Sequence, residues 1–273
     1  MHWFDRQGRD LGAFDQPRTF AQFRLAPDGH RVAVAIPDWT RGSRSIWILE
    51  AARPPVRFTY ADTHDWDPVW SFDGRRIGFA SYRNGPLDLF VKDADGAAVE
   101  APLVLSESQK DFGGWSPDGW YIAYRDVRDN SVGDIIVAET ANPSKTIELS
   151  KTPQADERLP RFSGDGKWIA YVSEETGREE VIVPPFPPTG SRWQISVDGG
   201  DEPEWRGDGR ELFYLARGAD QAHRCGAQLD RAAESAALID RFVLLLERDL
   251  PAHDGVGHLR GQDLIVRHGH DVL

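Results

Sequence analysis

Acidic residues recur in this chain at positions that could gather oxygen ligands in one place. Such a cluster would suit Ca²⁺ or Mg²⁺, or a basic peptide segment, because both prefer carboxylate oxygens and negative charge. Each candidate stands six to nine residues before an Asp-Gly pair: Asp65, Asp67, Asp111, Asp156, Glu157, Asp201 and Glu202. The alternative is a solvated acidic face whose carboxylates cap turns and pair with nearby arginines such as Arg83 and Arg178.

Two tryptophans add candidate contacts for a peptide or a sugar. Trp39 and Trp66 fall outside the apolar pattern that most tryptophans of this chain follow, and we expect both on loops beside the acidic candidates. Aromatic side chains in such places commonly anchor a partner. Packing within the protein is the alternative, since large aromatics are seldom wholly exposed.

Other motifs are better explained by turns. Asp93-Ala94-Asp95-Gly96 followed by Glu100 lacks the third acidic ligand and the spacing of a calcium loop, and we expect a hairpin turn there. The segment 163–168 resembles an Asp box, but it coincides with a repeated turn. His268 and His270 have no third ligand in view. Kinase motifs and the G-x-S-x-G elbow of serine hydrolases are absent from the sequence.

Composition narrows the class of protein. The formal net charge of -12 argues against nucleic-acid binding, which needs a basic footprint. The single cysteine, Cys225, excludes an internal disulfide and a cysteine-rich zinc site. No apolar run is long enough to span a bilayer, and no secretory signal is recognisable, so we expect no membrane insertion and the sequence leaves the location open.

The elements that carry the candidates come from a repeat. Asp-Gly pairs recur at steps of 43 to 47 residues: Asp28-Gly29, Asp73-Gly74, Asp118-Gly119, Asp165-Gly166 and Asp208-Gly209. Apolar residues alternate on both sides of each pair, which is typical of a β-hairpin with one buried face. Two further short apolar segments follow in most repeats. Four short antiparallel strands in about 45 residues indicate the blade of a β-propeller.

We therefore predict an all-β fold, a six-bladed β-propeller of four-stranded antiparallel blades, forming a single domain over residues 1–273. The predicted repeats are about 20–62, 63–108, 109–153, 154–199 and 200–253, called blades one to five here. Residues 254–273 and 1–19 together would complete the last blade, which would leave no open sheet edge.

Blade five is expected to be irregular. The repeat pattern fails from residue 217 to about 253, where the third strand should begin near residue 224 and where residues 230–247 favour an amphipathic helix. Divergence, an insertion or a local change of reading frame would each explain this interruption.

The repeats also carry a family resemblance. Units such as 25–34 and 115–124 are similar to the WD-like repeats of TolB-type propellers. The segments 3–8, 82–90, 177–187 and 199–214 resemble the propeller that follows the kinase domain and membrane helix of many bacterial eukaryotic-like serine/threonine kinases. The resemblance covers roughly residues 2–216 and implies an extracytoplasmic binding platform.

These observations predict a non-catalytic binding or sensing module without a required cofactor. Its partner would be a protein segment or a small ligand held over the loops around the central channel. The alternative is a propeller hydrolase with a Ca²⁺ or Mg²⁺ ion in the channel, similar to a lactonase, and it requires several inward carboxylates around one ion.

Overall fold

The computed structural model describes residues 19–51, 53–127 and 132–216 in full, and only the backbone of five further strands. Four four-stranded antiparallel sheets lie wholly in the fully described part. Their strands are β3 Gln22–Leu25, β4 Arg31–Asp38, β5 Ser43–Glu50, β6 Val56–Arg57; β7 Asp65–Trp70, β8 Arg76–Ser81, β9 Asp88–Asp93, β10 Ala101–Val104; β11 Gln109–Trp115, β12 Tyr121–Val127, β13 Gly133–Glu139, β14 Asn142–Ser150; β15 Glu157–Phe162, β16 Ile169–Ser173, β17 Glu180–Val183, β18 Trp193–Gln194. This is an all-β propeller architecture of four-stranded blades, as the repeat predicts.

Two further sheets contain the strands known only from their backbone. One consists of β19 Gly200–Trp205, β20 Glu211–Ala216, β21 His223–Gln228 and β22 Ile239–Arg241. The other joins β1 His2–Phe4, β2 Asp10–Ala13 and β23 Val266–Arg267 in the order β2-β1-β23. Four blades are thus described completely, rather than the six predicted.

The structure corrects two expectations at the chain ends. Residues Ile239–Arg241, which the sequence predicts to be helical as part of 230–247, form strand β22 in the four-stranded antiparallel sheet of blade five. Strand pairing with β20 and β21 overrides the local helical pattern at those three residues. In addition, β1 pairs with β23 in parallel, which departs from the predicted antiparallel pattern.

The recurring Asp-Gly pair closes the hairpin between the first and second strands of each blade. In blade four the Ser163 hydroxyl donates to Asp165 Oδ1 at 2.6 Å and accepts from the Trp168 N–H at 3.0 Å. Gly166 has a φ of 71°, a left-handed conformation that costs glycine little. Blades two and three repeat the same bonds, so the local sequence alone specifies this turn.

Apolar packing and a recurring tryptophan connect adjacent blades. The indole N–H of Trp70 donates to the Arg24 carbonyl of the preceding blade at 3.1 Å, and Trp205 donates to the Arg161 carbonyl at 3.0 Å. Trp115 makes the equivalent bond at 3.4 Å. Each indole therefore fills the space between two blades and also satisfies its polar atom there.

The Asp93–Gly96 segment forms the expected turn, since the Gly96 N–H donates to the Asp93 carbonyl at 3.0 Å. No described residue lies in a helix, so that part of the chain contains no helix able to cross a membrane.

Candidate functional site

The predicted site residues gather at one end of the blades. The Asp-Gly turns occupy one end of each blade, whereas the turns between second and third strands and the loops between blades occupy the other. We call this second end the loop face. Its segments are residues 38–43, 58–65, 82–88, 105–110, 150–157, 174–180 and 195–200.

Asp65 lies at the loop face but is completely buried. The Arg83 guanidinium donates to Asp65 Oδ1 at 3.2 Å and also pairs with Glu100. Burial raises the pKa of the Asp65 carboxyl, and the hydroxyls of Ser81 and Thr59 offset part of that rise. Asp65 and Arg83 thus pair with each other within blade two, and the Asp65 side chain is buried.

Arg125 pairs with two of the acidic candidates, Asp111 of blade three and Asp156 of blade four. Arg125 lies 2.9 Å from Asp111 Oδ2 and 2.6 Å from Asp156 Oδ1. The Gly133 N–H donates to the same Asp156 oxygen at 2.9 Å. Because Asp111 belongs to blade three and Asp156 to the loop that enters blade four, Arg125 connects these two neighbouring blades.

A second arginine does the same for blade five. Arg158 lies 3.1 Å from Asp201 Oδ1 and pairs with Glu179 as well. The predicted contact residue Arg178 lies at the surface, where its Nε donates to Glu180 Oε1 at 2.6 Å. Both arginines are thus engaged by acids of this chain.

The three other acidic candidates are Glu157, Glu202 and Asp67. Glu157 is completely buried, and burial is the main cause of its raised pKa, with a further contribution from the Asp134 carboxylate. The pKa of Glu202 is raised chiefly by burial, although Arg24 lowers it. Asp67 Oδ1 accepts from Gln22 Nε2 at 2.6 Å.

The two candidate tryptophans differ in exposure. Trp39 lies in the turn between β4 and β5, and 80% of its surface is exposed. Trp66 lies within strand β7 rather than on a loop, which corrects the prediction. Its ring is covered by the Arg44 guanidinium, whose carbon is 3.4 Å from the ring centroid.

The structure does not bring the acids together as a metal site. Within the described residues, no group of three or more His, Cys, Asp or Glu side chains could hold a metal ion. Each of Asp65, Asp111, Asp156 and Asp201 instead pairs with an arginine of this chain. His268 and His270 lie outside the described residues.

The sequence reasoning missed a backbone feature of the first strands. Asp67, Leu159 and Glu202 occupy equivalent repeat positions and have φ values of 47°, 56° and 51°. Each precedes a proline, and the strand register shifts at each of these places. The recurring X-Pro pair five or six residues before the Asp-Gly turn was the available signal for this bulge.

Comparisons with known proteins agree with this architecture. No protein-family profile matches the chain. The solved structure of a putative TolB from Agrobacterium tumefaciens superposes with a TM-score of 0.71 over 88% of this chain and 86% of that chain, at 18% sequence identity. TolB from Acinetobacter baumannii gives a TM-score of 0.63 over 79% and 53%, at 13% identity. The fold is a TolB-like β-propeller.

Sequence relatives of this TolB-like propeller are distant. The uncharacterized peptidase YuxL of Bacillus subtilis is 24% identical over 207 residues, which cover 59% of this chain and 30% of that protein. The uncharacterized protein Atu1656 of Agrobacterium fabrum is 23% identical over 207 residues, which cover 70% of this chain and 68% of that protein. The chain thus spans less than a third of the peptidase.

Proposed function

We propose that this chain is a non-catalytic, six-bladed β-propeller that binds a protein segment or a small ligand on its loop face. The sheet of β1, β2 and β23 would belong to the sixth blade, closed by the N-terminal segment. The resemblance to kinase-linked propellers further suggests a sensor platform outside the cytoplasm.

The observation that supports binding is the contrast between the fixed acids and the exposed Trp39. Four of the predicted acids, in blades two to five, are paired with Arg83, Arg125 or Arg158. Trp39 lies in a turn of blade one at the same end of the blades, with 80% of its surface exposed. A large aromatic side chain on a rigid support is a favourable anchor for a partner.

The proposal is tested by selecting peptides from a displayed library against the whole chain and measuring their affinities for two variants. Trp39→Ala removes the aromatic side chain at the loop face, and Trp120→Ala removes one that is 71% exposed beside an Asp-Gly turn at the opposite end. We expect Trp39→Ala to weaken the selected peptides by about tenfold or more, as loss of a contact worth over ~1.4 kcal/mol would. Equal losses in both variants, or no selectable peptide, would contradict the proposal.

The name of the peptidase relative favours a second candidate function. This chain would then be the propeller part of a larger enzyme. It would control substrate access or substrate binding and would not itself catalyse the cleavage. A metal-dependent propeller hydrolase is the other enzymatic alternative. Incubation of the chain with peptide, ester and lactone substrates, with and without Ca²⁺, tests the metal-dependent hydrolase candidate. Turnover that survives repurification would replace the binding proposal.

A further inference from the structure

A corner of the loop face between blades one and two contains buried N–H groups without acceptors. It is formed by Arg44 at the start of β5, His64 in the loop between the blades, and Trp66 in β7. Arg44 and His64 form an isolated parallel β-bridge, and the rings of His64 and Trp66 are 6.2 Å apart. The Arg44 guanidinium covers the Trp66 ring, so the three side chains are direct neighbours.

Four nitrogen atoms in this corner are buried and have no hydrogen-bond partner among the described residues. They are Arg44 Nε, Arg44 Nη1, Trp66 Nε1 and His64 Nδ1. Arginine and indole nitrogens can only donate, and a buried donor left unpaired costs about 1–3 kcal/mol. Buried polar groups in native proteins are nearly always paired, so a concentration of unpaired donors points to an absent acceptor.

The charge of the corner defines what that acceptor should be. Burial lowers the pKa of the Arg44 guanidinium, while the nearby Asp67 carboxylate raises it. Asp67 Oδ1 is already bonded to Gln22, and no bond from Asp67 to Arg44 Nε or Nη1 is formed. An acceptor-only anion would satisfy the donors and compensate the buried guanidinium charge better than a neutral group.

We propose that this corner, formed by Arg44, His64 and Trp66, binds a carboxylate of the partner or ligand. The inference rests on the proposed binding function and assigns its chemistry: an acidic side chain, a peptide C-terminus or a small organic acid. Trp39, on the turn that leads into β5, would contact the apolar part of the same ligand.

Because the four nitrogens have almost no exposed surface, binding would require a local movement, for which the turn of residues 38–43 that leads into β5 is the candidate. The ion pairs that hold this turn are weak. Arg41 lies 3.8 Å from both Asp38 and Asp62, and all three side chains are exposed. Exposed pairs of this kind contribute little stability, so they oppose the movement only slightly.

The test is an NMR titration of the whole ¹⁵N-labelled chain that follows the Trp66 indole N–H and the Arg44 Nε–H signals. N-acetylglycine presents a terminal carboxylate, N-acetylglutamate α-amide presents a side-chain carboxylate, and sodium acetate presents the carboxylate alone. Acetamide is the neutral control and sodium chloride the simple-anion control. We expect both signals to shift with at least one carboxylate and not with acetamide, and the relative affinities to distinguish the ligand sources.

Variants locate the effect. Arg44→Gln should weaken carboxylate binding by about tenfold or more because it removes a charge-assisted donor, and Trp66→Phe should weaken it while retaining the ring. Arg53→Gln is the matched control, since Arg53 is exposed and pairs only locally with Glu50. A thermal melt shows whether each variant is folded. If Arg44→Gln does not fold, Trp66→Phe and the wild-type shifts decide the outcome.

Three results would overturn the inference: no shift with any carboxylate, equal shifts with acetamide, or chloride binding as tightly as the carboxylates. The first two results deny a carboxylate site, and the third reduces it to a general anion site. Failure here is distinguishable from failure of the proposed function. Selected peptides that depend on Trp39 but tolerate Arg44→Gln would sustain the binding face and reject the carboxylate chemistry.

Discussion

The acidic residues of the loop face show how burial changes the role of a carboxylate. Water is lost around Asp65 and Glu157, and each must recover stabilisation from neighbouring donors or shift its pKa. Asp65 has Arg83 within hydrogen-bond distance, whereas neither carboxylate oxygen of Glu157 has a hydrogen-bond partner among the described residues, and the Asp134 carboxylate raises its pKa further. The repeat position is the same, but the energetic consequence differs because the neighbours differ.

Glu157 therefore provides a test at the residue scale. Its pKa is raised in the folded state, so the folded state binds the proton more tightly than the unfolded state does. The stabilisation is complete below the ordinary glutamate pKa and is lost as the pH rises through the raised folded value. Glu157→Gln carries no charge to bury, so we expect about 1 kcal/mol of added stability at pH 7 and little at pH 4.

Urea unfolding of Glu157→Gln and of the wild type at both pH values measures this difference. The exposed Glu107→Gln is the control and should behave as the wild type does at both pH values. A destabilised Glu157→Gln at pH 7 would show that the charged carboxylate makes bonds that outweigh its burial.

At the scale of elements, two neighbouring blades approach each other closely at the bulge in the first strand of blade three. In β11 the register shifts between Phe112 and Gly114, which leaves Gly113 against Pro160 of the next blade. A Cβ placed on Gly113 would lie 2.3 Å from Pro160 Cγ and 2.6 Å from the Pro160 carbonyl oxygen. Blades two, four and five have a proline at this repeat position, so blade three meets its neighbour differently.

Gly113→Ala should consequently destabilise the chain by about 1–3 kcal/mol, because the added methyl group forces two blades apart. Chemical denaturation measures the loss. Gly207→Ala is the matched control, since nothing lies within 4 Å of its added Cβ and we expect a change below about 0.5 kcal/mol. Equal stability of the two variants would mean that the junction of blades three and four adapts without cost.

At the scale of the whole molecule, a formal net charge of -12 coexists with a loop face whose acids are largely neutralised. Arg83, Arg125 and Arg158 each contact two or more acids, in some cases across a blade boundary. Such pairs contribute more to the geometry of the ring than to its stability, because the desolvation of both partners offsets their attraction. The described residues of the loop face form no group able to hold a metal ion.

This arrangement gives a prediction for metal removal. A thermal melt of the whole chain should be unchanged by EDTA and by added Ca²⁺, because the described acids form no metal site. For comparison, a ligand that binds only the folded state would add about 2.7 kcal/mol of stability at a hundredfold excess over its Kd. Mg²⁺ added in the same way should also leave the midpoint unchanged. A fall in Tm with EDTA that Ca²⁺ restores would reveal a structural cation and favour the hydrolase alternative.

The sequence by itself determined the repeat, the Asp-Gly hairpins and the four strands of each complete blade. These features depend on residues close together in the chain: Ser163, Asp165 and Gly166 specify a turn through bonds that span at most five residues. The alternating apolar residues then place one face of each hairpin against the next blade. Local bonding and a period of two are properties that a sequence displays directly.

Only the tertiary structure decided what the candidate residues do. Whether Asp156 is a ligand or a partner of Arg125 depends on residues 31 positions apart, and Trp66 differs from Trp39 because Arg44 covers it. Likewise, the unpaired nitrogen atoms of Arg44, His64 and Trp66 adjoin only when blades one and two pack together. Such contacts are set by the closing of blades against each other, and the spacing of residues within a repeat does not contain that information.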